Sequence, residues 1–469
     1  GSGLMGSVSG SSVANTVSTG VITIPMMRKA GFPARFSAGV EAAASTGGQL
    51  MPPVMGAGAF IMASYTQIPY VEIIAVSTLP ALLYFMSVGF YVRVEAMRSH
   101  AHAIELDTRS FGEVFKEGWH FLLPLAVLVA LLIYGFTPTY AAGISIIAVI
   151  VSSWLSKNPM KPRDILDALA QGSRNMATTA ILLVAVGLVV NVVAMTGIGN
   201  TFSLMIAEWS NGSLFIMLAL VALASLILGM GLPVTAAYIV LATLSAPALY
   251  NLIAESHLID LVMAGNLPEE AKVIFMLIDP EKYALLSAPM SQADATALIA
   301  QVPGDFKGQL LEQALNPTVL SAALLSAHMI IFWLSQDSNV TPPVCLTAFA
   351  AAAIAKTPPM ATGFMAWKLA KGLYIVPLLL AYTNLIGGET PYVLRIFVFA
   401  LFGLYAFVGF MEGYLEGPLN IALRVLSGVA ALLMLWPHHN ILIDSAGLVL
   451  FIGLFIYSRK TRAASLQIA

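Results

Sequence analysis

Residues Gln49-Leu50-Met51-Pro52-Pro53-Val54 lead through Met55 into a run of small apolar residues, GAGAFIMA. Much later, Asn339-Val340-Thr341-Pro342-Pro343-Val344 leads into CLTAFAAAA. Each copy has a polar amide, a Pro-Pro-Val and a small-residue helix carrying Phe60 or Phe349. Pro52, Pro53, Pro342 and Pro343 lack amide donors, so neither segment can run as one continuous helix. A Gly-rich break precedes each copy, Gly6 to Ser12 in the first half and Gly229 to Thr235, with Pro233, in the second. Pro and Gly are frequent in membrane helices, so a single break would carry little weight. Breaks in two matched pairs, in corresponding halves and with polar residues at each, are the pattern of a secondary transporter whose binding site lies at the interruptions.

Composition agrees. Of 469 residues, 58% are hydrophobic and 10% charged, against about 25% charged in an average soluble domain. That excludes a soluble enzyme and a disordered regulator. With 22 basic and 24 acidic residues there is no basic excess to hold nucleic acid. The single Cys345 cannot form an internal disulfide, and no Cys/His set has metal-ligand spacing. The fold class is an all-α polytopic membrane protein.

Charge-free runs locate the spans. Residues 118–156 read as two antiparallel spans punctuated by Gly135-Phe136-Thr137-Pro138. A span is expected near 178–197, and the run 209–254 is broken at Gly229-Met230-Gly231-Leu232-Pro233. Further spans are expected at 72–92, 319–336, 372–387, 393–411, 419–436 and 441–457. Basic loops at Arg93, Arg98, Arg109 and Lys116, and at Lys157, Lys161, Arg163 and Arg174, read as cytoplasmic, as do Lys368, Lys371 and the tail Arg459, Lys460 and Arg462. The segment 255–317 is polar and acidic, without arginine, and reads as an extramembrane insertion of short helices facing away from the cytoplasm. The resulting units are 1–66 (first hairpin and unwound helix), 67–175 (scaffold helices and cytoplasmic loops), 176–254 (start of the second repeat), 255–317 (insertion), 318–365 (second unwound helix) and 366–469 (C-terminal helices).

Irregular backbone at membrane depth is tolerated where it lines a cavity or is buried in protein. Carbonyls freed upstream of each Pro pair suit a dehydrated Na⁺, helped by side-chain oxygens. Ser7, Ser9, Ser11, Ser12, Asn15 and Thr16 supply oxygens at the first break, and Ser45, Thr46 and Gln49 supply them before the first Pro pair. Thr235, Ser335, Asp337, Ser338, Asn339 and Thr341 are the second-half counterparts. Glycines 6, 10, 47, 48, 229 and 231 permit close backbone approach. Half-helix N-termini at the breaks favour an anionic ligand. Ser11, Thr46, Asp337 and Thr341 are the Na⁺ candidates. Asp337 is the sharpest, because an ionisable group in an apolar stretch is functional by default; the competing reading is a solvated interfacial carboxylate. Glu41, heading EAAASTGG, is balanced between function and a cap or interface role. His328 and Cys345 read as packing residues, and His438-His439 as interfacial.

The stretch GSVSGSSVANTVSTGVITIPMMRKAGFPARFSAGVEAAASTGGQLMPPVMGAGAFIMA resembles the core of the large membrane subunit of tripartite ATP-independent periplasmic (TRAP) transporters, closest to the type with fused four-helix and twelve-helix subunits. GMGLPVTAAYIVLATLSAPAL and NVTPPVCLTAFAAAAIAKTPPMATGFMAWKLAKG resemble its second half. The resemblance covers roughly 1–250 and 319–460. It implies an inverted-repeat ion-transporter-like fold with re-entrant hairpins and broken helices, working as an elevator in a bacterial inner membrane. It also implies Na⁺-driven import of carboxylates or other organic acids delivered by an extracytoplasmic substrate-binding protein, with no cofactor besides the coupling ion. Ser7 to Asn15 would form the first hairpin region and Ser45 to Pro53 the adjoining unwound stretch; Gly229 to Thr235 and Asp337 to Pro343 would be their equivalents. The small four-helix subunit and first scaffold helices are expected upstream of Gly1, since the chain opens inside a working element. The segment 255–317 is longer than the resemblance leads one to expect. A stand-alone Na⁺- or H⁺-coupled di/tricarboxylate transporter is the alternative. An intramembrane enzyme is disfavoured, because HExxH is absent and the serines have no persuasive His partner.

Overall fold

The computed structural model describes residues 1–99, 101, 110–156, 159–278, 280–437 and 440–468. Arg109, Lys157 and His438-His439 lie outside the described residues. The chain begins with a helical hairpin, α1 (Ser2–Ser9) and α2 (Ser12–Lys29), followed by a helix broken at the first Pro pair into α3 (Ala34–Gly48) and α4 (Ala57–Thr66). Next come α5 (Tyr70–Arg98), α6 (Phe111–Gly118), α7 (Leu123–Ile133), α8 (Pro138–Trp154), α9 (Pro162–Thr196) and α10 (Ile198–Ser210). A second hairpin, α11 (Leu214–Gly229) and α12 (Val234–Met263), is followed by the short helices α13 (Glu269–Ile278), α14 (Gln292–Ala300) and α15 (Gly304–Ala314). The second broken helix is α16 (Pro317–Ser335), a 3₁₀ turn at Gln336–Asn339, and α17 (Leu346–Ala355). The chain then runs through α18 (Pro359–Leu369), α19 (Gly372–Tyr382), α20 (Thr390–Glu412), α21 (Ile421–Leu435) and α22 (Ile441–Ile468). Among the described residues, eight helices are long and apolar enough to cross a membrane. Many apolar side chains on α7 to α10 and on α21 and α22 face outward, as lipid-facing surfaces do.

The breaks fall where the sequence puts them. Thr137 caps α8 by accepting from the Tyr140 N–H, which separates it from α7 at Gly135, where φ is +86°. α11 stops at Gly229, and Pro233 begins α12. Three boundaries move. Span 178–197 is the C-terminal part of a 35-residue helix that starts at Pro162, so the boundary at 175 lies inside α9. Nothing interrupts the helix at 254, and α12 continues to Met263, so the insertion begins about two and a half turns later than composition suggests. The boundary at 365 falls inside α18, and the expected span 372–387 is a shorter α19 joined to α18 at Ala370-Lys371.

The two halves repeat one plan. Each hairpin packs on the first half of its own broken helix, α2 on α3 and α12 on α16. It also packs on the second half of the other one, α17 on α2 and α4 on α12. Both second half-helices end on a left-handed residue before an X-Pro, Gln67 at φ 57° and Lys356 at φ 55°. The insertion α13–α15 occupies the place of the short Ala30–Pro33 turn in the first half. It is a folded unit: Lys272 and Tyr283 donate to Glu269 at 2.7 and 2.8 Å, which holds that carboxyl below the usual carboxylate range.

Small residues set how closely the hairpin meets the broken helix. A Cβ on Gly48 would lie 2.5 Å from the Gly6 Cα, and one on Gly229 would lie 2.6 Å from the Ser338 Cβ. Backbone cannot rotate away from such a contact. Gly48→Ala is expected to cost about 1–3 kcal/mol by overpacking. Thermal unfolding of the detergent-solubilised protein should show it, beside Gly143→Ala, where open space surrounds the new methyl.

Candidate functional site

At the tip of the first hairpin, Gly10 takes φ +65° and lets α1 turn into α2. The Gln49 amide nitrogen donates to the Gly10 carbonyl at 2.8 Å, and its oxygen accepts from the Asn339 amide at 3.1 Å. Gln49 and Asn339 are 290 residues apart, the same offset that relates Pro52 to Pro342. Equivalent positions of the two halves therefore meet. The Thr347 hydroxyl faces two acceptors, the Asn339 amide oxygen at 3.3 Å and Ser12 at 2.9 Å, and stands between the junction and the same hairpin tip. The main chain is tied in as well. The Val54 N–H donates to the Ser7 carbonyl at 3.2 Å, the Gly56 N–H donates to the Gln49 carbonyl at 2.8 Å, and the Tyr70 hydroxyl donates to the Val54 carbonyl at 2.5 Å. Such partners are what a break in an apolar environment requires.

One turn before Thr341, the buried carboxylate of Asp337 takes hydrogen bonds on one oxygen from the Thr341 and Tyr374 hydroxyls. The Trp367 indole N–H donates to Tyr374 at 3.0 Å, and the Lys371 ammonium stands 3.2 Å from the centre of the Trp367 ring, a cation–π contact. Asp337 is thus a buried acid in a built polar cluster on the inner side of the break, and the reading of a solvated interfacial carboxylate does not hold. Beside it, the Gln336 amide nitrogen is buried without a hydrogen-bond partner.

The other sequence candidates separate. Ser12, Gln49 and Asn339 join at the junction, and Asp337 pairs with Thr341. The Thr46 hydroxyl donates to the Ala42 carbonyl and the Ser7 hydroxyl to the Leu4 carbonyl, both within their own helices. Ser9 and Ser11 are exposed at the hairpin tip, where Ser11 caps α2 by accepting from the Ala14 N–H. Asn15 and Ser45 turn away from the junction toward Glu41. Thr235 and Gly231 sit at the second hairpin tip, half-buried and exposed respectively. His328 accepts or donates to Tyr238 at 2.9 Å inside the core, and Cys345 is fully buried against Gly363, as packing residues are. Thr347, Tyr374, Trp367 and Lys371 had no local signal, because they reach the site only through the packing of α17, α18 and α19.

Two hairpins and two broken helices that meet on paired amides, within a bundle of apolar helices, define a multi-pass membrane permease. Residues 1–386 match the family described as tripartite ATP-independent periplasmic transporter, DctM component, and the chain belongs to that family. It is also similar to the uncharacterized protein YgiK of Salmonella typhimurium (strain LT2), 28% identical over 188 residues. That match spans 39% of this chain and 42% of the relative. The protein is a multi-pass component of the inner membrane.

Removing either amide costs its partner one buried hydrogen bond, about 1–3 kcal/mol, although Asn339 keeps its bond to Gln336 and Gln49 its bond to Gly10. Gln49→Ala and Asn339→Ala should each lower the unfolding temperature, and the double variant should lose less than the sum. Strict additivity in that cycle would mean that the two amides do not act together.

Proposed function

We propose that this chain is the transport core of a Na⁺-coupled TRAP permease that imports organic carboxylates handed over by an extracytoplasmic substrate-binding protein. The observation that carries the reading is the junction of Gln49 and Asn339 beside the buried Asp337 cluster. There, two interrupted helices and a hairpin tip converge on side chains that supply both hard oxygens and amide donors. The paired design fits a cation and an anion together. Carboxylate, hydroxyl and carbonyl oxygens suit Na⁺. The N-termini of α2, α12 and α17, with the unpartnered Gln336 amide nitrogen, suit a carboxylate. Asp337 and Thr341 are the residues we assign to Na⁺ on the second half; Ser11 and Thr46 are their weaker candidates on the first. In this reading the two hairpins move with the substrate against scaffold helices, and a small four-helix subunit completes the complex.

Uptake by the full-length protein in proteoliposomes should require both an inward Na⁺ gradient and the cognate binding protein. Full-rate uptake without the binding protein would instead identify a stand-alone transporter. Asp337→Asn should raise the Na⁺ concentration for half-maximal uptake by about tenfold or more, the scale of one charge-assisted contact, with expression unchanged. Thr341→Ala should act in the same direction more weakly. Unchanged Na⁺ dependence in both would remove these residues from the coupling site.

A further inference from the structure

Glu41 lies on α3 two turns before the first break and is 1% exposed. One carboxylate oxygen accepts from the hydroxyls of Ser2, Thr19 and Ser45, at 2.7, 2.6 and 3.2 Å. The other accepts from Thr23 at 2.5 Å. Ser2 belongs to α1, Thr19 and Thr23 to α2, and Ser45 to α3, so both arms of the hairpin close on one acid. The Asn15 amide nitrogen faces the same group: it donates to the Ser2 carbonyl at 2.8 Å and lies 3.2 Å from the Ser2 hydroxyl and 3.0 Å from that of Ser45. The oxygen of that amide is fully buried and has no hydrogen-bond partner.

Among the described residues, no Lys or Arg lies within ion-pair distance of Glu41. Where α2 passes Glu41 at Gly20, the other neighbours are Ile24 and Ile354. A carboxylate buried among neutral groups costs several kcal/mol in desolvation, a cost that a cation beside it offsets. A cavity of about 370 Å³ lies beside it, with Ser2, Thr23, Glu41, Val40 and Phe85 in its walls. The equivalent position of the second half, 290 residues on, is the fully buried Ile331. The cluster therefore belongs to the first half alone and is not the junction seen twice.

Net charge and donor type select the ligand. One carboxylate and several hydroxyls form a hard-oxygen set that carries at most one negative charge, too little for a divalent ion. We propose that Glu41, Ser2, Thr19 and Ser45 form a Na⁺ site separate from the junction, with the Asn15 amide nitrogen orienting Ser2 and Ser45. An ion there bridges α3 to both hairpin arms, so binding fixes the hairpin against the broken helix. Its part in transport rests on the reading of Na⁺ as coupling ion; its occupancy does not.

Occupancy is measured without transport, by thermal unfolding of the full-length protein in detergent with NaCl replaced stepwise by choline chloride. Na⁺ should raise the unfolding temperature of the wild type. Glu41→Gln should raise the Na⁺ midpoint by about tenfold or more, and Thr19→Val, which keeps the shape and removes one ligand, should raise it several-fold. Should Glu41→Gln fail to fold, Thr19→Val decides. Na⁺ curves of the variants that superimpose on wild type overturn the site, as does a Glu41→Gln variant that alters the pH dependence of unfolding and leaves the Na⁺ midpoint in place, since the group would then carry a proton. Either result leaves the Na⁺-gradient uptake assay, and the coupling reading it tests, untouched.

Discussion

A helix that stops partway through an apolar layer leaves carbonyls and amide hydrogens that lipid cannot satisfy. The chain contains two such helices and resolves both at one place, where Gln49 and Asn339 pair with each other and with the first hairpin tip. Everything near the centre follows from that meeting. Gly6 against Gly48, and Gly229 against Ser338, bring each hairpin close enough to cover a break. Thr347 on the far half-helix adds a link to the tip through Ser12. The junction is polar and its side chains are buried, so it specifies one register between the halves, whereas apolar packing alone would tolerate several.

The two halves share a backbone plan and differ in where they place charge. Gly47 stands 290 residues before Asp337, and a Cβ there would run into the rings of Tyr84 and Phe85. The second half puts a carboxylate in that place and a tyrosine hydroxyl, Tyr374, against it. Conversely, Glu41 and its hydroxyls have the apolar Ile331 as counterpart. A repeated scaffold with unlike acids can bind two ions in unlike surroundings, and this asymmetry separates the central site from the hairpin site.

Beyond the family match at residue 386, α20 to α22 fasten to the core through buried acids. Glu412 takes both Arg98 of α5, at 2.5 Å, and Lys368 of α18, at 2.5 Å. Glu416 takes Arg93 at 2.6 Å and the Tyr405 hydroxyl at 2.8 Å, and Phe90 stacks on Tyr405 with ring centres 4.4 Å apart. Because α5 and α18 follow the two broken helices in equivalent positions, Glu412 links the halves a second time, at the end of the bundle and away from the junction.

The sequence by itself determined the class, the spans and the four interruptions, because these depend on local properties: runs of apolar residues, the missing amide of proline and the freedom of glycine. It also picked out Gln49, Asn339, Asp337 and Thr341, since polar residues beside a break in an apolar segment have few other uses. It misplaced the end of α12, because composition turns polar at Glu255, whereas the helix runs on to Met263 and stops at Gly265, where φ is +69°. Only the tertiary structure decided which oxygens share a site. Thr46 bonds inside its own helix, while Asn15 and Ser45 turn to Glu41, and Tyr374 arrives at Asp337 from 37 residues away. Those partnerships depend on the rotation of packed helices about their axes, which composition and spacing leave open and which the contact of Gly6 with Gly48 and the amide pair at the centre fix.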